Sequence, residues 1–259
     1  MAQRPTAFSE PHFSQFCELL RAGAGSVDIH DVKTTSGVAS PSDASNNFLL
    51  SELARVEQHR KAAGDLLAAF VPPRRSILDV GCGTGGCSVG MAISTLSPTS
   101  ITGVDVSVRA LHAAMQRAAG YGLSRRLNFR SIAPNEPLPF DDGAFDLVVS
   151  ISVLEFVTLE SARVRFLSEL QRVSRGWVFL ATPRRSWREH HSGRWLGNVL
   201  KRDGYPWASR PKWIRAQFRG WERIALEGEL LRAKGLPASL AAVAGPMMPW
   251  RKMLFRKPR

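Results

Sequence analysis

The sequence predicts an α/β fold in which a parallel sheet is covered on both faces by helices. Three observations carry this. Short runs that are apolar almost throughout, such as Ile101–Val106 and Phe145–Ser152, alternate with segments of helical periodicity. The first such run ends in a cluster of glycines, the punctuation that turns a strand directly into a helix. The chain has 259 residues, 44% of them hydrophobic, which suffices for one large core and excludes a disordered or collagen-like polymer.

Residues 1–45 carry scattered Gly, Ser, Thr and Pro with weak periodicity, and read as an N-terminal arm or lid. Residues 46–183 form the main domain. From Phe48 to Phe70 apolar residues recur at helical spacing until Pro72-Pro73 stops the helix. Ser76–Val80 is the first strand, followed by a small-residue helix from Gly85 to about Leu96. Ile101–Val106 and Leu127–Ile132 are strands flanking a helix over Ser107–Ala119. Phe145–Ser152 is the fourth strand, Leu159–Val173 a helix and Trp177–Ala181 a fifth strand. Beyond Pro183 the pattern breaks into short helical pieces at Gly204, Pro206, Pro211, Gly235 and Pro237.

Charge divides the chain at the same place. The formal net charge is +13, yet residues 1–180 hold 17 basic and 17 acidic side chains, so the excess belongs to residues 181–259. Six of the seven tryptophans lie there too. Cations interleaved with amphipathic aromatics suit an anionic membrane face, and also a nucleic-acid backbone. The last ten residues, Trp250 to Arg259, contain five cations, no acid and the apolar set Trp250, Met253, Leu254 and Phe255, a composition that favours insertion at a membrane face. The competing reading is a solvated basic surface with its tryptophans packed inward.

Three cysteines without paired spacing make neither a disulfide framework nor a zinc site and fit a reducing cytosol. No leader and no membrane-length apolar run is evident, so the expectation is a cytoplasmic protein, peripheral on the inner membrane face.

The segment Ile77-Leu78-Asp79-Val80-Gly81-Cys82-Gly83-Thr84-Gly85-Gly86 carries the chemistry. Its glycines let the backbone turn sharply and approach a ligand at the carboxyl end of the sheet. A dinucleotide would place its pyrophosphate there, and Asp79, two residues before the first glycine, would repel it. An acid fits a cationic or ammonium-bearing ligand, which favours S-adenosylmethionine. Asp105, ending the second strand, stands where a carboxylate can accept both hydroxyls of a ribose, a device that dinucleotide sites share.

From Ile77 to about Pro183 the chain resembles class I S-adenosylmethionine-dependent methyltransferases of the small-molecule type. Four blocks match in order: the glycine motif at Asp79–Gly85, Val104-Asp105-Val106, the run from Leu138-Pro139-Phe140 to Asp146-Leu147-Val148, and Val153-Leu154-Glu155-Phe156-Val157. The resemblance implies a Rossmann-like, doubly wound, mostly parallel sheet of the seven-stranded type, with the basic, Trp-rich residues 184–259 added as an acceptor cover and tail. It implies that Gly81, Cys82 and Gly83 line the methionine part of the cofactor and that Asp79 orders the turn or meets the ammonium group. Asp105 would hold the ribose, Val106 would press on adenine, and Ser150 and Ile151 would flank the sulfonium.

Two positions depart from the family pattern. The loop Ser131-Ile132-Ala133-Pro134-Asn135-Glu136 lacks the usual acid for the adenine amino group, leaving backbone near Ile132 and Ala133, or Asn135, to serve. Phe156 stands where relatives often carry His.

The candidate catalytic residues are therefore His190 and His191, as a general base, and Glu155, orienting the acceptor. Against them stand an exposed histidine pair without a role and a glutamate that in relatives often serves the start of a helix. Asp79 could alternatively cap the following helix. Cys82 and Cys87 read as packing residues, and Asp141, Asp142 and Asp146 as an acidic turn, with no metal expected. The sequence thus points to a methyltransferase acting at oxygen on a small or lipid-linked anionic acceptor. An RNA methyltransferase and a non-catalytic S-adenosylmethionine-binding module are the alternatives.

Overall fold

The structure is a computed structural model that describes residues 55–157, 159–183, 211–224, 226 and 250–258. The expected arm over residues 1–45, His190, His191 and most of the 184–259 extension lie outside the described residues. Seven strands form one sheet: β1 (Ser76–Val80), β2 (Ser100–Asp105), β3 (Leu127–Ser131), β4 (Phe145–Ile151), β5 (Ser174–Pro183), β6 (Glu222–Ile224) and β7 (Trp250–Arg256). Their order is β3-β2-β1-β4-β5-β7-β6. The pairs β2–β3, β1–β4 and β4–β5 are parallel, and β7 runs antiparallel to both β5 and β6. The mostly parallel, seven-stranded sheet expected from the sequence is present.

Two compact units make up the chain, one of residues 1–74 and 82–131, the other of 75–81 and 132–259. In the first unit, helix α1 covers residues 55–67 and is π-helical over Arg60–Asp65. It packs on α2 (Gly86–Ala92) at backbone contact: a Cβ on Gly90 would lie 2.7 Å from the Val56 carbonyl oxygen. Helix α2 ends earlier than its apolar pattern predicts. The Ser94 hydroxyl donates to the Met91 carbonyl at 2.6 Å and accepts from Leu96 N at 3.2 Å, while Asp65 takes both Thr95 N and Oγ1 at 2.8 Å. These side chains offer the backbone an alternative to another helical turn.

Helix α3 (Val108–Gly120) starts at Ser107, whose hydroxyl accepts from Ala110 N, and buries a face of alanines with Leu111. It stops in a Schellman closure. Leu123 N bonds Ala118 O at 2.8 Å, Gly122 N bonds Ala119 O at 2.9 Å, and Gly122 supplies the left-handed φ of 67°.

In the second unit, β1 and β4 are fastened at their starts by Asp146, which accepts the Ser76 amide and hydroxyl, each at 3.0 Å. The Leu138–Gly143 loop is latched to α4 (Glu160–Val173) by an ion pair. Arg172 donates to the carbonyls of Phe140 (2.8 Å) and Leu138 (2.9 Å), and Glu169 accepts the Leu138 amide at 2.7 Å while bonding Arg172. Strand β5 begins three residues before the expected Trp177, because Ser174 pairs with Phe145 of β4 and Gly176 O accepts Lys257 N.

The last strand corrects the sequence reading of the tail. Met253, Leu254 and Phe255 are buried inside the sheet, paired with Leu180, Phe179 and Val178 of β5. Phe255 stacks on Phe218, centroids 3.9 Å apart, just after helix α5 (Pro211–Gln217). These apolar groups build core, so they are not the ones available to enter a bilayer. Two of the tail's cations are also engaged: Arg256 pairs with Glu222 and lies over Trp177, and Lys257 lies over Trp221. For these residues the tryptophan–cation alternation is pairing within the chain at its surface, with Arg256 and Lys257 exposed over partly buried tryptophans. No described helix is long and apolar enough to cross a membrane.

The Glu169–Arg172 latch yields a prediction. The hydrogen bond from Arg172 chiefly holds the Glu169 carboxyl below its ordinary range, so the latch's contribution is complete above the unfolded-state value and is lost as pH falls through the lowered one. Urea midpoints measured from about pH 6 to pH 3 should fall in wild type, and Glu169→Gln should lack that component of the decline. Arg172→Met should cost about 2 kcal/mol at neutral pH by stranding two carbonyls and a carboxylate.

Candidate active site

In the first unit, the second half of the glycine turn is tied to the end of β2. Cys82 N donates to the Val104 carbonyl at 3.0 Å, and Gly83 N to Asp105 Oδ2 at 2.8 Å. The other carboxylate oxygen, Oδ1, accepts Ser107 N at 2.9 Å, at the start of α3. Each oxygen thus has one backbone donor and retains a further lone pair, so a diol could still be accepted. Gly83 and Gly85 have φ of 53° and 77°, conformations that a side chain would strain. Beyond Asp105, Val106 is 57% exposed and Val108 55%, apolar surface beside a carboxylate. Cys82 and Cys87 are buried, and the sulfur of Cys82 lies where a Cβ on Gly103 would approach to 2.9 Å, as suits packing groups.

The second unit holds the remaining positions. Asp79 lies inside β1, in register with Val149, and is 1% exposed. The N-cap position of α2 is occupied by Gly85, not by Asp79. Gly81 turns at φ 75°, and a Cβ there would meet Val153 Cγ2 at 2.1 Å. Ser150 is buried at the end of β4, and Ile151 is partly exposed. The next residue, Ser152, adopts a left-handed φ of 60° and donates its amide to the Ala181 carbonyl at 2.9 Å. A 3-10 turn over Leu154–Phe156 follows, with Glu155 2% exposed. That burial, in the first turn of a short 3-10 helix, favours the second role the sequence leaves open for Glu155, at a helix start. Ile132 is partly buried, while Ala133 and Asn135 are exposed on their loop.

Sequence reasoning missed Ser152 and Val153. Nothing in the residue Ser152 signals a positive φ, and Val153 reads as an ordinary block residue until its methyl group is seen filling the space opposite Gly81. The acidic cluster resolves into fasteners: Asp146 holds Ser76, and Asp142 meets Arg172 at 2.9 Å. Among the described residues no group of three His, Cys, Asp or Glu side chains could hold a metal ion.

A mostly parallel sheet whose first strand enters a left-handed glycine turn, with a carboxylate ending its second strand, defines a Rossmann-like nucleoside-binding domain. Comparison with known proteins narrows the class. Residues 77–176 match a family model described as a methyltransferase domain. A ubiquinone/menaquinone biosynthesis C-methyltransferase of Geotalea daltonii is 36% identical over 101 residues, 39% of this chain and 41% of that protein. A ubiquinone biosynthesis O-methyltransferase of Chromobacterium violaceum is 30% identical over 131 residues, 51% of this chain and 50% of that protein. Ajmaline N-methyltransferase of Rauvolfia serpentina is 33% identical over 100 residues, covering 39% of this chain and 32% of the relative. The chain spans half or less of the length of these relatives.

Two solved structures share the fold. Magnesium protoporphyrin IX methyltransferase from Synechocystis PCC 6803, with bound SAH, has a TM-score of 0.55 at 14% identity over 95% of each chain. The YcgJ protein of Bacillus subtilis has a TM-score of 0.56 at 15% identity over 78% of this chain and 99% of its own. Residues 77–176 thus match a methyltransferase domain, on a sheet of the class I, S-adenosylmethionine-dependent type.

The contact between Gly81 and Val153 is open to test. Gly81→Ala meets both a steric clash and a left-handed φ, and should cost about 3 kcal/mol in denaturant unfolding. Adding Val153→Ala should restore the steric part and leave the backbone part, which a double-mutant cycle separates.

Proposed function

We propose that the chain is an S-adenosylmethionine-dependent O-methyltransferase acting on a small or lipid-linked anionic acceptor at the inner membrane face. The observation that carries the cofactor part is the Asp105 carboxylate, held by the Gly83 and Ser107 amides with a lone pair left on each oxygen. Such a group is ready to accept both hydroxyls of a ribose. Val106, exposed beside it, would lie against adenine, and Ile132 and Ala133 would meet the adenine edge through their backbone. Asp79, Gly81, Cys82 and Gly83 would hold the amino-acid end, with Ser150 and Ile151 beside the sulfonium.

When bound, the cofactor supplies a methyl group on a sulfonium, whose departure leaves a neutral thioether. The chain's own work is then mainly alignment, since a neutral leaving group needs no acid. His190 or His191 would take the proton from the acceptor hydroxyl. Support for oxygen as the acceptor atom comes from the ubiquinone biosynthesis O-methyltransferases, whose matches cover 51% of this chain. With Met253, Leu254 and Phe255 in the core, the membrane contact rests on basic side chains instead. Lys212, Arg215 and Arg219, exposed along and just after α5, belong to that set.

Calorimetric titration of the full chain should show S-adenosylmethionine binding that weakens about a hundredfold in Asp105→Ala, the loss expected for two charge-assisted hydrogen bonds. Absence of heat with wild type would overturn the cofactor assignment. For the surface, the chain should float with anionic vesicles and not with neutral ones, and the Lys212→Glu, Arg215→Glu, Arg219→Glu variant should float less. Equal flotation with both vesicle types would remove the membrane contact.

A further inference from the structure

The end of β5 carries a polar side chain that the fold does not use. Thr182 is 2% exposed, and its hydroxyl has no hydrogen-bond partner among the described residues. A hydroxyl shut away from water without a partner is unfavourable, and valine, of the same shape, would suit a buried strand better. Strand register locates it. Ser150 of β4 pairs with Leu180 of β5, and side chains alternate along a strand, so Thr182 lies on the face that carries Ser150, two residues nearer the carboxyl end. On the other edge of β5, Thr182 pairs with Arg251 of β7. Opposed residues of antiparallel strands share a face with Cβ atoms about 5 Å apart. Arg251 is partly exposed, and the next pair on that face, Leu180 and Met253, is buried and apolar. A buried hydroxyl and a guanidinium therefore stand side by side at the end of the sheet where open α/β folds take ligands, with an apolar floor behind them.

We infer that Thr182 and Arg251 form a subsite for the anionic group of the methyl acceptor, a carboxylate or a phosphate. This rests on the methyl-transfer reading above and specifies its acceptor. The guanidinium donates charge-assisted hydrogen bonds to the anionic oxygens, and the Thr182 hydroxyl donates one more, gaining the partner it lacks. The apolar floor lowers the local dielectric and strengthens both contacts. Held there, the acceptor presents its nucleophilic oxygen toward Ser150 on the neighbouring strand. Thr182 and Arg251 are binding residues, and no bond forms or breaks at them.

The test uses the full chain as wild type, Thr182→Val, Thr182→Ser and Arg251→Met. Each is measured for thermal midpoint, for S-adenosylmethionine affinity, and for titration with inorganic phosphate and with benzoate, in the presence and absence of S-adenosylhomocysteine. Wild type should bind one of the two anions, and which one identifies the group. Arg251→Met should weaken that binding about tenfold or more and Thr182→Val about fivefold, while Thr182→Ser retains it. All variants should keep S-adenosylmethionine affinity within about twofold, a change too small to count as a lost hydrogen bond. Thr182→Val should also raise the thermal midpoint, because it removes an unpaired hydroxyl from the core. A lowered midpoint in that variant, unchanged anion affinity in both Thr182→Val and Arg251→Met, or no binding of either anion by wild type would overturn the subsite. Anion binding at this pair in a chain that fails to bind S-adenosylmethionine would instead overturn the methyl-transfer reading and, with it, the acceptor assignment.

Discussion

The Asp105 carboxylate gripping two backbone amides is the interaction on which the site depends. One oxygen fixes Gly83, the other fixes Ser107 at the entry to α3. The end of β2, the glycine turn and the next helix are thereby referred to one rigid group. Its burial is partial, so the carboxylate stays able to meet a ligand while serving the fold. A loop carrying its own ligand-binding atoms would have to be ordered on binding. With Asp105 as the proposed ribose ligand, the ordering is complete beforehand, and binding energy would not be spent on it.

The opposite flank of the turn is set by shape and not by charge. Val153 occupies the space that any side chain at Gly81 would need. Ser152, immediately before it, is held in a left-handed conformation by its hydrogen bond to Ala181. A strained residue at the tip of a strand persists only where its surroundings over-determine it. Here those surroundings are β5 on one side and the valine contact on the other. The precision of the turn therefore depends on residues far from it in sequence.

Much of this was legible in the sequence because it is local. Strand runs from Ser76 to Phe179, the glycine turn and the acid at 105 announce themselves by residue type and spacing. What escaped is long-range. Trp250–Arg256 has the composition of an interfacial anchor, and only its pairing with β5, some seventy positions upstream, turns the same apolar residues into core. Ser152 looks like any serine, and Thr182 looks like an ordinary strand residue until its burial is known. The early end of α2 depends on Asp65, thirty residues before Thr95. Local propensity cannot register partners at such separations, and for the same reason the acidic turn at 141, 142 and 146 does not disclose that Asp146 fastens Ser76 and Asp142 meets Arg172.

Pro183 and Trp250 are paired residues on neighbouring strands, so β5 ends and β7 begins at almost the same point. The span between them contributes α5 and β6, but its ends are anchored to each other whatever lies between. Because the entropy of closing a loop grows only with the logarithm of its length, insertions and deletions within such an excursion are inexpensive. The fold thus sets a sheet whose strands constrain one another beside a connection whose length the β5–β7 pairing leaves open.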